Sequence, residues 1–111
     1  MTNKQKGNYY QLKTRKWYEK EGYDVYPLEM ARSIFTPKGM VYVKKDILAS
    51  DLVAVNGEEM VFIQSKTNKN DVAAGVMEFH KYKFPTDCSH IKKVVVRWEV
   101  RAKEPTVREV E

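Results

Sequence analysis

The sequence predicts an α/β sandwich, with a mixed central sheet covered by helices on both sides. Three observations predict it. Asn56-Gly57 stands between two apolar runs, Leu52–Val55 and Met60–Ile63, the strongest short-range signal for a β-hairpin. Both faces of that hairpin are apolar, with Val53, Val55, Met60 and Phe62 on one and Leu52, Ala54, Val61 and Ile63 on the other, so helices must cover both. Helical spacing before it and after it supplies those covers.

In chain order, residues 1–7 are polar and read as loose, with Gly7-Asn8 as the start of a first helix running to about Glu21. At 100° per residue Tyr10, Thr14, Trp17 and Tyr18 share one arc, the core side. Tyr9, Lys13, Lys16 and Lys20 share another, either a solvated face or a rail for phosphates. Gln11 lies at the edge of the buried arc, placed to look toward the hairpin. Gly22 ends the helix, and Tyr23–Pro27 alternates as a strand that Pro27 closes or confines to an edge. Leu28 to Lys45 reads as irregular, with a short strand at 40–43. After the hairpin, Asn70 or Asp71 caps a second helix reaching about Tyr82, with Val72, Val76 and Phe79 as its core stripe. Gly75 inside it costs up to ~1 kcal/mol relative to Ala, which implies close packing on the sheet. From Ile91 a strand alternates with Val94, Val96, Trp98 and Val100 inward. Thr106–Val110 returns as a charged edge strand behind Pro105.

At 111 residues this is one domain, and 42% hydrophobic residues in regular segments argue for a folded chain. No apolar run approaches the ~18 residues that cross a bilayer. The absence of a charged-then-apolar leader gives the expectation of a cytoplasmic protein, in a host cytoplasm if the source is viral. Cys88 is the single cysteine and fits a reducing compartment. His80 and His90 have no zinc-type spacing and read as surface or boundary residues. Of the 20 Lys and Arg, ten lie in residues 1–50 against five acids, while residues 51–111 hold ten of each, so the +5 net charge belongs to the N-terminal half. Such clustering serves solubility, and it is also the footprint of a phosphate binder.

The hairpin carries the chemistry. A two-residue loop would pair Val55 with Glu58, and a four-residue loop from Asn56 to Glu59 would set Asp51 opposite Gln64. Either even-length loop puts Asp51, Gln64 and Lys66 on one face, whereas an odd loop without a bulge separates them. Polar residues confined to the ends of doubly buried strands are costly there without a purpose. The structural alternative is a buried hairpin whose polar residues merely mark its ends.

At these residues the chain resembles the PD-(D/E)xK nuclease superfamily, and within it the small archaeal and viral Holliday-junction resolvases. Asp51 matches the strand acid, with Ser50 where Pro is usual, and Lys66 matches the motif lysine. Gln64 stands where Glu is usual. Lys6-Gly7-Asn8-Tyr9-Tyr10-Gln11 resembles the helical Gly-x-x-x-Glu opening, with Gln11 again replacing a carboxylate. Asp46 to Asp51 resembles a variant with two aspartates before the strand. The resemblance covers about the first seventy residues and implies a restriction-endonuclease-like core, DNA as partner, branched DNA above all, and a two-fold dimer.

It further implies a Mg²⁺ site, with Mn²⁺ able to substitute, held by Asp51, the Gln64 amide oxygen and the Ser65 carbonyl. Lys66 would orient the attacking water and stabilise charge on the phosphate, pairing with Asp51 when no metal is present. Arg32, Ser33, Lys38, Lys44 and Lys45, in the segment over the substrate backbone, and Lys13 and Lys16 on the first helix are the candidate phosphate contacts. The two glutamines exchange charge for a dipole. They leave a second expectation, a weak or inactive nuclease fold that binds nucleic acid, and a third, a small basic protein-binding module.

Overall fold

The structure, a computed structural model, describes residues 3–84 and 88–110, and the side chains within them except those of residues 3–4, 29–35 and 41–46. Its elements are α1 Asn3–Lys20, β1 Asp24–Pro27, β2 Glu29–Thr36, β3 Gly39–Asp46, β4 Leu52–Val55, β5 Met60–Lys66, α2 Lys69–Phe79, β6 Ile91–Arg97 and β7 Thr106–Val110. Five strands form one mixed sheet in the order β1-β4-β5-β6-β7, and β2 pairs with β3 in a separate two-stranded sheet. Within the large sheet only β5 and β6 run parallel, which is why a helix connects them: adjacent parallel strands need a crossover.

The period-two pattern of β4 and β5 assigns one sheet face to each helix. Leu52, Ala54, Val61 and Ile63 join Tyr10, Tyr18, Val25, Val94, Val96 and Trp98 in a core under α1. Phe62, Ala49, Val95, Phe79 and Val110 form a second core with Val72, Val76 and Phe84 under α2. An apolar sheet sandwiched by helices follows from strands that are hydrophobic on both faces.

Thr14 shows how α1 is fixed. It is fully buried, its hydroxyl donates to the Tyr10 carbonyl at 2.8 Å, and it accepts from Trp98 Nε1 at 2.9 Å, so the two buried polar groups satisfy each other. Trp17 meets the Trp98 ring edge to face at 6.2 Å between centroids. At the opposite end of the sheet, the Tyr23 hydroxyl donates to Glu59, and Glu59 pairs with Lys92 at 3.0 Å. Those hydrogen bonds hold the Glu59 carboxyl below its usual range, and the same bond pushes Tyr23 up to about 12. Burial first, then the Glu59 charge, raises Tyr18 to about 12 as well.

Four expectations are corrected. The first helix does not begin at Gly7-Asn8 but at Asn3, because Lys4, Gln5 and Lys6 are good helix formers and Gly7 sits where a side chain would meet nothing. The segment 28–45, expected to be irregular, is a hairpin with Thr36 opposite Gly39 across Pro37-Lys38; its β-branched and aromatic content outweighed its scattered charges. The cap of α2 is Asn68, ahead of the expected Asn70 or Asp71, and the helix stops at Phe79, short of Tyr82. Val100 is 77% exposed and outside the strand, because β6 ends at Arg97 and the chain turns at 99–102. No helix among the described residues is long and apolar enough to cross a membrane.

Candidate active site at the rim of the sheet

The β4–β5 connection is the four-residue alternative. Val55 pairs with Met60, Gly57 takes φ 86°, and the Asn56 side-chain oxygen accepts the backbone N–H groups of Glu58 at 3.0 Å and Glu59 at 2.9 Å. Leu52 therefore faces Ile63 at the last pair of the register, and Asp51 follows just outside it. Asp51 N–H donates to the Ile63 carbonyl at 2.8 Å, and its carboxylate Oδ2 accepts from Ser65 N–H at 2.9 Å. The Asp51 side chain is thus held against the backbone between Gln64 and Lys66.

Gln64 and Lys66 alternate with Ser65 and face α2, where they meet a residue that the sequence did not single out. Gln64 Nε2 donates to Glu78 Oε2 at 2.6 Å, and Lys66 Nζ lies 3.9 Å from Glu78 Oε1. Lys66 thus has Glu78 as an ion-pair partner that the sequence did not announce; Glu78 rises from the helix over the same sheet face. Arg97 is a second addition. Parallel pairing sets it directly beside Lys66, and its guanidinium reaches Glu99 at 3.2 Å while its Nε is buried without a hydrogen-bond partner. A signal for Glu78 existed: it follows Gly75 by three positions, so it lies on the helix face that the glycine presses onto the sheet.

Gln64 is 1% exposed, and its Oε1 is a buried acceptor with no partner. It occupies the space that Gly75 leaves, since a Cβ at Gly75 would collide with that oxygen and would stand 3.3 Å from both Lys66 Cε and Val95 Cγ1. Gly75→Ala is therefore expected to destabilise the protein by ~1–2 kcal/mol, because overpacking a fitted site costs roughly 1–3 kcal/mol and exceeds the up to ~1 kcal/mol gained in helix propensity. Denaturant unfolding measures this, and a stabilised Gly75→Ala protein would show that the cradle is loose.

The remaining candidates lie further apart. Gln11 is half-buried on α1 and lines a shallow cleft of about 170 Å³ with Asn8, Leu12, Arg15, Pro27 and Leu52, on the α1 side of the sheet rather than the α2 side that Gln64 and Lys66 face. The Ser65 hydroxyl is buried without a partner. Lys13 is drawn into the fold: its ammonium donates to the Ala102 carbonyl at 3.1 Å and lies 4.4 Å from the Trp98 ring centroid. Lys16 and Lys38 are exposed. Arg32 and Ser33 fall on β2 opposite Val43 and Tyr42, and Lys44 and Lys45 fall on β3 opposite Ala31 and Met30. Their side chains, and that of Asp46, lie outside the described ones.

Compared with family models, curated proteins and solved structures, the chain matches none.

Proposed function

We propose that this protein is a divalent-metal-dependent endonuclease acting on branched DNA. The observation that carries the reading is the hydrogen bond from Ser65 N–H to the Asp51 carboxylate, which brings that acid to the β5 backbone between Gln64 and Lys66 at one rim of the sheet. The resemblance to the PD-(D/E)xK superfamily implies that arrangement on a mixed sheet with helices on both faces, and the sheet order supports it.

The donor set suits a hard cation. The Asp51 carboxylate is a hard oxygen donor, and Mg²⁺ accepts one or two carboxylates with water and substrate oxygens completing its shell. When bound, Mg²⁺ or Mn²⁺ would neutralise phosphate charge and lower the pKa of a water. The chain's own residues do the rest. Asp51, anchored by Ser65 N–H, presents a fixed negative charge. Lys66 brings an ammonium that orients the nucleophilic water and offsets charge on the phosphate in the transition state. Arg97, its neighbour across the parallel pair, adds a second cation on the same edge. Lys16 and Lys38 are exposed cations suited to phosphate backbone, and a two-fold dimer would place two such rims for symmetric cuts.

A second reading, a nucleic-acid-binding protein on this scaffold without catalysis, is favoured by Gln64 and Gln11, which remove two charges from the pattern. A panel of four-way junction, flap, nick and plain duplex separates the two readings. The nuclease reading expects faster cleavage of the junction than of duplex in Mg²⁺ and DNA affinity that falls steeply with salt. Salt-sensitive binding of all four with none cut would establish the second reading.

A further inference from the structure

Glu78 is the polar residue on α2 to which both motif side chains of β5 turn. Its Oε2 accepts from the buried Gln64 amide at 2.6 Å and its Oε1 lies 3.9 Å from the Lys66 ammonium, while its own side chain is 41% exposed and open to a ligand. The Gln64 amide is held at both ends: Nε2 is given to Glu78, and Oε1 packs into the notch at Gly75. An amide held this way fixes where the Glu78 carboxylate stands. Gln64 is neutral where a charged donor would strengthen cation binding, and Glu78 brings one charge to the same sheet face.

We propose that Glu78 is the second anionic ligand of the divalent cation, and that Gln64 is a positioning residue which aims it. This rests on the nuclease reading and names a ligand for the same site. The missing motif carboxylate has in effect moved from strand to helix, 14 residues along the chain. It also gives Gly75 a reason: a side chain there would displace the amide that aims Glu78. Lys66 balances Glu78; a cation held by Glu78 would leave that ammonium to the phosphate.

The test is a titration of Mn²⁺ into chelator-treated protein, followed by the rise in melting temperature, with no DNA present. The unmodified protein is expected to be stabilised, and Asp51→Ala to lose that response. Glu78→Gln keeps shape and hydrogen bonding but removes the charge, and its titration midpoint is expected to move up about tenfold or more. The exchange Gln64→Glu with Glu78→Gln, which returns the carboxylate to the strand, is expected to recover most of the loss. Melting without metal reports whether each variant folds. If Glu78→Gln titrates like the unmodified protein while Asp51→Ala does not respond, the role of Glu78 is overturned and the nuclease reading stands. If the unmodified protein and Asp51→Ala behave alike, the cation site itself is overturned, and both fall together.

Discussion

Asp51→Ala is expected to abolish phosphodiester cleavage, by on the order of 10³-fold or more, while DNA binding and its salt dependence stay within a few-fold of the unmodified protein. The asymmetry follows from where the residue sits. Asp51 is a rim acid whose Oδ2 is bonded to one backbone N–H, so its removal takes away the anchored charge for a cation and leaves the two cores untouched. Lys66→Ala should fall nearly as far, about 10²–10³-fold, because the ammonium acts on charge that develops in the transition state. It should also leave Glu78 without its cation and Gln64 as that acid's remaining partner in this cluster, so its melting temperature should change little. Single-turnover cleavage beside equilibrium binding of the same DNA separates the two effects. An Asp51→Ala protein that cuts normally would remove the site assignment.

Trp98→Ala carries the largest expected loss of stability, about 3–5 kcal/mol. The ring is 3% exposed, meets Trp17 edge to face, lies under the Lys13 ammonium and hydrogen bonds to buried Thr14. Truncation leaves a cavity between α1 and the sheet, in a domain whose whole stability is about 5–15 kcal/mol. Trp98→Phe isolates one part of this. It keeps most of the packing, loses the bond to Thr14, and should cost about 1 kcal/mol from that bond plus the smaller ring. Chemical denaturation of the three proteins measures the ladder; equal stabilities of Trp98→Ala and the unmodified protein would show that α1 is not held through this indole.

The parts of the fold that were legible in the sequence are those where one pattern dominated. The two-sided apolar run of β4 and β5 announced a doubly covered sheet, and the arc of Tyr10, Thr14, Trp17 and Tyr18 named the buried face of α1. The hairpin turn left two loop lengths open, and the Asn56 side chain decided between them by accepting two backbone N–H groups, which a two-residue loop could not offer. The β2–β3 hairpin was hidden because its charged residues interrupt the alternation that marks a strand with one buried face. Val100 was misplaced because an alternating pattern shows no end of its own; the turn at Glu99–Ala102 ended it.

The site was legible where it lies within one hairpin and illegible where it depends on long-range packing. Asp51, Gln64 and Lys66 belong to one strand-turn-strand unit, so spacing alone related them. Glu78 reaches the same place only because α2 crosses back over β5 with Gly75 against the sheet, and Arg97 only because β6 pairs in parallel at that end. Lys13 shows the converse. Its position in a row of lysines suggested phosphate, while the tertiary fold gave its ammonium a carbonyl and an indole face.

The most direct test is the rate at which the unmodified protein cuts a labelled four-way junction in millimolar Mg²⁺, measured against the same reaction in EDTA. Defined strand cuts in Mg²⁺, none in EDTA, and recovery on adding the metal back are the expected result. A junction that is bound but left whole in both Mg²⁺ and Mn²⁺, by a folded protein whose melting temperature neither ion changes, would contradict it.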